Sequence, residues 1–357
     1  MKMNLEIKAV PADACNQEKK DERLTHILDA IRDRQLLALN IETTSFCNLK
    51  CIFCRMHAER VGKTDEKGQS GGGKIKKHMS LELFKKIMEK CRGLDRLKTL
   101  FLHGLGEPLL NPHLVEMVRI AKTCDIAEKI TLITNAVLLK QQLFRELVAA
   151  GVDNFRISLD VIDRDQYRKI KGADVGEVVL KNIDDCLVEI KNNSLPVSLS
   201  IECMESAVDK NYADESEKIT EYFSEKIRRL PKVDVRLVKL VNWNERGERY
   251  EKFQRKFPCE QAFYMLMIHS DGDVSMCCKD DRKELLIGTV SSVDSLRDLL
   301  SSEKLIAMRK ALLLQDYSLI SACRHCDLRT SVDAELLEKK DFLLGFLFPV
   351  KKSLDNP

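Results

Sequence analysis

Three cysteines lie close together in one short segment: Cys47, Cys51 and Cys54. Thiolates at this spacing within one loop can bind three irons of a cubane iron–sulfur cluster. The fourth iron would then have no protein ligand and could bind a small molecule, as catalytic metal sites keep one position open. A zinc site completed by His57 is the alternative, although closed zinc sites more typically use paired CxxC motifs.

A second group of cysteines lies near the C-terminus and ends in a CxxC motif, "CRHC": Cys259, Cys277, Cys278, Cys323 and Cys326. These thiolates could bind another iron–sulfur cluster or a structural zinc ion. Because neighbouring residues of a hairpin strand face opposite sides, we expect only one of Cys277 and Cys278 at the metal. We favour Cys277.

Composition excludes several classes of protein. The chain has 357 residues, 44% hydrophobic and 32% charged, which is enough for a large core. Its net charge of +3 gives no electrostatic case for a nucleic-acid partner. There is no signal peptide and no apolar run of about 20 residues, so we predict a cytoplasmic protein without a membrane span. In that compartment thirteen cysteines indicate metal or redox chemistry rather than disulfides.

The elements that position the first cysteines follow from the hydrophobic pattern. Six apolar or β-branched segments are predicted strands, at 38–44, 97–103, 129–134, 154–160, 196–202 and 233–240. Helical patterns separate them, one of them starting with Asn111 as N-cap before Pro112. This alternation predicts an α/β fold, a partial six-unit barrel of parallel strands with its active site at the carboxyl ends of the strands.

A smaller unit follows the last of these strands. Its pattern predicts a hairpin turning at Asp271–Gly272, then a helix, then "CRHC". We therefore divide the chain into a helical extension (1–37), a barrel (38–240), an auxiliary unit (241–330) and a tail (331–357).

The segment "CNLKCIFC" resembles the CxxxCxΦC signature of radical S-adenosylmethionine enzymes. Further along the chain, "GLGEP", "ITN" and "SLD" resemble the motifs of that family at later strand ends. The resemblance implies a 4Fe–4S cluster whose open iron chelates S-adenosyl-L-methionine. Reductive cleavage would give a 5′-deoxyadenosyl radical that abstracts hydrogen from a substrate.

The resemblance also implies a set of cosubstrate contacts: Phe53 on the adenine, Gly104, Gly106 and Glu107 at the methionyl ammonium, Asn135 and Ser158 at the ribose or carboxylate, with Asp160 and Lys171 completing the motifs. The family has Arg where this chain has Lys171. Lysine keeps the charge but loses the bidentate geometry of arginine.

The stretch from Cys259 to Cys277, with Gly272 five residues before Cys277, resembles the opening of SPASM and twitch domains. This implies a small C-terminal twitch-like domain with a second 4Fe–4S cluster. Its implied ligands are Cys259, Cys277, Cys323 and Cys326. A cluster with four protein ligands would transfer electrons rather than bind substrate.

These features predict an oxidoreductase that dehydrogenates a small polar molecule, such as an amino sugar or aminocyclitol. A flavodoxin- or ferredoxin-type donor would supply electrons. The alternative is a maturase that oxidises, cross-links or epimerises a peptide, although such enzymes often carry a leader-binding domain larger than the 37 residues before the first strand. An iron–sulfur protein without turnover is disfavoured by the full set of cosubstrate motifs.

Overall fold

The computed structural model describes residues 17–54, 77–205, 211–239, 258–324, 326, 328 and 333–347. Within them, one sheet contains nine strands in the order β6-β5-β4-β3-β2-β1-β7-β8-β9. The strands are β1 (Ala38–Ile41), β2 (Leu97–Leu102), β3 (Ala127–Thr134), β4 (Asn154–Ser158), β5 (Ser198–Glu205), β6 (Val233–Lys239), β7 (Met265–Ile268), β8 (Asp273–Ser275) and β9 (Leu286–Thr289).

Helices lie between and after the strands. They are α1 (Gln17–Arg32), α2 (Leu81–Lys90), α3 (Leu114–Thr123), α4 (Gln141–Ala150), α5 (Arg164–Lys171), α6 (Gly176–Asn193), α7 (Asn211–Ile227), α8 (Gln261–Tyr264), α9 (Leu296–Leu300), α10 (Glu303–Leu314), α11 (Asp333–Glu338) and α12 (Lys340–Leu347). Strands β1 to β6 all pair in parallel, each with its neighbour along the chain. The predicted α/β fold with a partial, open barrel is confirmed.

The auxiliary unit continues the barrel sheet. Strand β7 pairs in parallel with β1, with Ala38 opposite Met265. The predicted hairpin is present, because β7 and β8 are antiparallel. Gly272 at its turn has φ +91°, a conformation that favours glycine.

One predicted helix start is wrong. Helix α3 begins at Leu114 with His113 as N-cap, not at Pro112. The side chain of Asn111 is used elsewhere: its amide donates to the carbonyl of Thr43 at 2.6 Å and to that of Met79 at 3.1 Å. Asn111 therefore connects the loop after β1 to the segment before α2.

The core consists of the helix-facing residues of the parallel strands packed against the apolar faces of the helices. Leu100 and Leu102 of β2, and Phe155 and Ile157 of β4, are fully buried in this layer. Side chains alternate along a strand, so the residues between them face the barrel interior. In the described part of the chain, none of the helices combines the length and apolarity needed to cross a bilayer.

Candidate active site and auxiliary thiol site

The first three cysteines lie in the loop 47–54, which follows β1 at the carboxyl end of the sheet. Two backbone hydrogen bonds attach this loop to the end of α5, from Lys50 N to Lys171 O at 3.0 Å and from Ile52 N to Ile170 O at 2.9 Å. The thiols of Cys47, Cys51 and Cys54 are all partly buried. Burial raises the pKa of Cys51 to about 12, an effect that Lys171 opposes and the two other thiols reinforce.

Lys171 lies beneath this loop and is almost completely buried, with 2% of its side chain exposed. Its ammonium forms an ion pair with Asp160 and donates to the carbonyl of Ser158 at 3.0 Å. It also lies 5.5 Å from the ring centroid of Phe53. Burial lowers the pKa of Lys171, but the attraction of Asp160 and Cys51 outweighs it and raises the pKa above the usual range.

Asp160 is buried and has φ +64°. Asparagine and aspartate are the non-glycine residues that tolerate this region best. Its backbone carbonyl accepts from the thiol of Cys203 at 3.4 Å. The "SLD" and "KG" motifs, joined by Asp160 and Lys171, therefore form one buried support under the loop 47–54.

The two glycines of "GLGEP" are required by close backbone approach. A Cβ on Gly106 would lie 2.1 Å from the carbonyl oxygen of Thr44, and one on Gly104 would lie 2.5 Å from Cβ of Glu42. The next residue, Glu107, donates its backbone N–H to Phe46 O at 2.7 Å. The turn after β2 therefore packs directly on the chain leading to Cys47.

The carboxylate of Glu107 accepts hydrogen bonds within the protein. Its donors are Leu109 N at 3.1 Å, Thr134 Oγ1 at 2.6 Å and Asn135 N at 2.8 Å. Burial raises the pKa of Glu107 to about 7 despite these bonds. Glu107 thus connects the ends of β2 and β3.

Asn135 makes a contact that the sequence motifs did not indicate. Its side-chain amide donates to Oδ1 of Asn48 at 2.8 Å, and Asn48 lies between Cys47 and Cys51. Its own oxygen accepts from Val137 N at 3.1 Å. Asn135 thereby orients the loop 47–54 from the side of β3.

Glu42, directly after β1, was missed in the sequence. Its oxygens accept from Leu105 N at 3.1 Å and from Ser270 N at 3.0 Å, so one buried carboxylate joins the ends of β1, β2 and β7. The available signal was the polar run "ETTS" directly after an apolar strand. Such a run at a strand end indicates buried polar contacts.

The barrel interior between the strands is polar. Arg156 of β4 binds Glu202 of β5 through Nε at 2.6 Å. His103 follows β2, and its pKa is lowered to about 3 by burial and by the charges of Lys279 and Arg156. Lys279 belongs to the auxiliary unit, two residues after Cys277, so that unit contributes charge to the barrel interior.

The second group of cysteines, from Cys259 to Cys326, is partly buried in the auxiliary unit. The thiols of Cys259, Cys278 and Cys323 are all close enough to Cys277 to raise its pKa. The N–H of Cys326 donates to Cys323 O at 3.3 Å, which places both ends of the CxxC motif in one turn.

Cys277 and Cys278 lie outside the hairpin strand, so the strand alternation on which our expectation was based does not apply to them. Strand β8 ends at Ser275, so both residues lie in the turn beyond it. A hydrogen bond between the two thiols lowers the pKa of Cys278 to about 6 and raises that of Cys277.

Two arginines hold the segment that begins at Cys259. Arg23 of α1 binds Glu260 through its Nε at 3.1 Å and also binds the hydroxyl of Tyr264 at 3.1 Å. Arg309 of α10, which is 3% exposed, donates to the carbonyls of Ala262 at 2.9 Å and Phe263 at 3.0 Å. These contacts fix the backbone on either side of α8.

The donor chemistry of both sites suits iron–sulfur clusters. The first offers three thiols in one loop, and the second offers four to five thiols from three segments of chain. Among the described residues, no three Cys, His, Asp or Glu side chains close on a point at the distance of a single ion. The match of these sites to iron–sulfur clusters therefore depends on which thiols are present and how they are grouped. His57, the expected partner in a zinc site, lies outside the described residues.

Comparison with known families agrees with this donor set. Residues 41–201 match the radical SAM superfamily, and residues 259–327 match SPASM, an iron–sulfur cluster-binding domain. The chain carries a radical SAM domain followed by a SPASM domain. These two domains imply 4Fe–4S clusters and bound S-adenosylmethionine (SAM).

Among curated relatives, GTP 3′,8-cyclase of Chlorobaculum tepidum is 34% identical over 161 residues, which are 44% of each chain. The matches span about half or less of the length of the first such relatives. Among solved structures, BtrN in complex with AdoMet and 2-DOIA has a TM-score of 0.52 at 16% identity, covering 82% of this chain and 93% of that one. Streptococcus suis SuiB bound to its precursor peptide SuiA has a TM-score of 0.50 at 15% identity, covering 82% and 72%. These structures show a shared fold.

Proposed function

We propose that this protein is a radical SAM oxidoreductase that removes hydrogen from a small polar molecule, such as an amino sugar or aminocyclitol. The proposed ligands are Cys47, Cys51 and Cys54 for the first cluster. For the auxiliary cluster they are Cys259, Cys277, Cys323 and Cys326. A cytoplasmic flavodoxin- or ferredoxin-type protein would supply the first electron.

The relative placement of the two thiol sites carries this proposal. Residues 47–54 follow the carboxyl end of β1. Pairing of Met267 with Ser275 brings Cys277 back beside the start of β7, which is next to the start of β1. The two sites therefore lie at opposite ends of β1, whose four residues span about 10 Å. A substrate in the barrel interior would lie between them.

When bound, the clusters would supply the electron that cleaves SAM and an acceptor for the electron that the substrate radical loses. The protein itself must hold the substrate. Arg156 and Glu202, 30% and 9% exposed, offer a donor and an acceptor for hydroxyl or amino groups. His103 stays neutral because of its low pKa, so it can accept a hydrogen bond from a hydroxyl group.

A peptide substrate is the alternative. The SuiB structure contains a bound precursor peptide, and this chain shares its fold. The small-molecule proposal is favoured by the polar interior, where Arg156 and Glu202 are already paired and Lys279 contributes a further charge. Charged groups held this close together suit a compact polar ligand better than an apolar peptide side chain.

The test is an iron count together with an assay of SAM cleavage. Anaerobically reconstituted protein should contain about eight irons, four for each cubane cluster. Replacing Cys47, Cys51 and Cys54 with Ala should remove about half of the iron and abolish formation of 5′-deoxyadenosine. If that variant still cleaves SAM after reduction, the proposed ligand set is wrong.

A second variant tests the reaction class. Cys323→Ala with Cys326→Ala should also lose about four irons, yet keep SAM cleavage at the first site. It should fail to complete a two-electron oxidation, because the electron acceptor is gone. Zinc in place of the second set of irons would exclude the dehydrogenase and leave a redox-neutral reaction.

A further inference from the structure

A fully buried ion pair lies directly under the loop that carries the first three cysteines. Lys171 and Asp160 each have 2% of their side chains exposed. The ammonium has a second acceptor, the carbonyl of Ser158, and its third side faces the ring of Phe53. With these contacts it is held inside the protein rather than pointing to the open side of the loop.

The same element also fixes the loop backbone. Lys171 accepts from Lys50 N through its carbonyl, and Gly172 has φ +72°. A Cβ at Gly172 would lie 2.7 Å from the carbonyl oxygen of Lys50. The backbone around Lys171 thus positions the loop, and its side chain places a positive charge beneath Cys51.

The ammonium of the pair is close to the loop 47–54, because its Nζ lies 5.5 Å from the ring centroid of Phe53, the residue before Cys54. Without water between them, charges interact more strongly than at a surface. A cluster bound at Cys51 would therefore experience a net positive field from this pair.

We propose that Lys171 is a positioning residue whose buried charge raises the reduction potential of the cluster held by residues 47–54, with Asp160 as an opposing counter-charge. The inference rests on the proposed cluster ligands. Reduction adds one negative charge to the cluster, and a nearby cation stabilises that charge, while a nearby carboxylate destabilises it. This role differs from the SAM-binding role that the sequence motif implied for Lys171.

The experiment is a redox titration of both clusters in the full-length protein, followed by electron paramagnetic resonance. Three variants are compared with the parent after an iron count. Lys171→Met removes the positive charge and keeps the volume. Lys171→Arg keeps the charge and is the matched control. Asp160→Asn removes the negative charge, and asparagine tolerates the positive φ of that position.

Lys171→Met should lower the potential of the first cluster, Asp160→Asn should raise it, and Lys171→Arg should leave it close to the parent value. The potential of the auxiliary cluster should stay unchanged in all three variants. Opposite shifts from the two partners cannot come from a purely structural support. Shifts of the same sign, or loss of iron from both charge-removing variants, would show that the pair only supports the loop.

If Lys171→Met is the one variant that fails to bind iron, Asp160→Asn tests the proposal by itself. A raised potential of the first cluster supports the proposal, and a lowered or unchanged potential contradicts it. The ligand proposal is tested separately. If the variant lacking Cys47, Cys51 and Cys54 keeps all of its iron, the ligand assignment has failed, whatever Lys171 does.

Discussion

Oε2 of Glu42 accepts the backbone N–H of Ser270 at 3.0 Å and lies 3.8 Å from Nδ1 of His269. On its other side, Nε2 of His269 lies 2.9 Å from Oγ of Ser275, which donates to Asp280 at 2.7 Å. A buried polar chain therefore runs from the end of β1 to the turn after Cys277 and Cys278. It joins the radical SAM domain to the SPASM domain through side chains as well as through the sheet.

Glu42→Gln should destabilise this junction. Glutamine has one acceptor oxygen, so its amide must face either Leu105 N or Ser270 N and leave that donor without a partner. Loss of a buried hydrogen bond of this kind costs about 1–3 kcal/mol. Urea unfolding of the metal-free protein should show a decrease of that size.

The matched control is Glu128→Gln, which removes a carboxylate from an exposed ion pair with Lys98. Such surface pairs contribute little to stability because water screens them. Equal destabilisation by the two substitutions would contradict a special role for Glu42.

Arg23→Ala should weaken the auxiliary site. Arg23 is the partner of Glu260, a carboxylate with 1% of its side chain exposed, and Glu260 directly follows Cys259. We expect the free energy of unfolding to fall by about 1–2 kcal/mol. This is the lower part of the range for hydrogen bonds to charged groups, because Arg23 itself is 43% exposed. In protein that lacks the first three cysteines, a chelator should remove the remaining iron faster. Arg32→Ala, which breaks a surface pair with Asp33, should leave that rate unchanged.

The raised pKa of Glu107 should make the stability of the protein depend on pH. This pKa is 4.5 in the unfolded reference and about 7 in the folded protein, because burial disfavours the charged form. The folded state then binds more protons than the unfolded state between these values, so this group makes stability fall as pH rises from about 4.5 to 7. At about 1.4 kcal/mol per pKa unit, the decrease is about 3 kcal/mol.

Other carboxylates also change the stability with pH. The effect of Glu107 is therefore measured as the difference between the parent and a variant that lacks this carboxylate. The free energy of unfolding is measured across this range for the metal-free parent and for Glu107→Gln. The parent should lose stability relative to the variant as pH rises. Parallel curves would show that folding leaves the pKa of Glu107 unchanged.

Much of the fold follows from the sequence because parallel strands leave a strong local signal. The six predicted barrel strands are present with small shifts at their ends, and β1 is shorter because the chain after Ile41 turns into polar loop contacts. The hairpin was predictable from Asp271–Gly272. The parallel pairing of β7 with β1 was not, because it depends on contacts between segments more than 200 residues apart.

The three thiols of the first loop lie within one short segment, so their spacing alone predicted a site. The thiols of the second site come from three segments, and only the resemblance to SPASM domains grouped them. The roles of the surrounding residues were less predictable. Lys171 and Glu107 matched motif positions, but the structure gives both of them partners within the protein. Glu42 and Asn48 matched no motif, because their contacts connect separate loops. Spacing therefore indicated the metal chemistry, whereas the supports of the site required the folded chain.

The last prediction separates the adjacent thiols Cys277 and Cys278. Sγ of Cys277 accepts the backbone N–H of Lys279 at 3.3 Å, and an N–H bond to sulfur is a contact that tunes iron–sulfur clusters. The thiol of Cys278 instead donates a hydrogen bond to Oε1 of Gln261 at 3.6 Å. Cys277→Ala should therefore lose about four of eight irons, and Cys278→Ala should keep about eight. The reverse result would make Cys278 the ligand, and full retention in both variants would show that either thiol can serve.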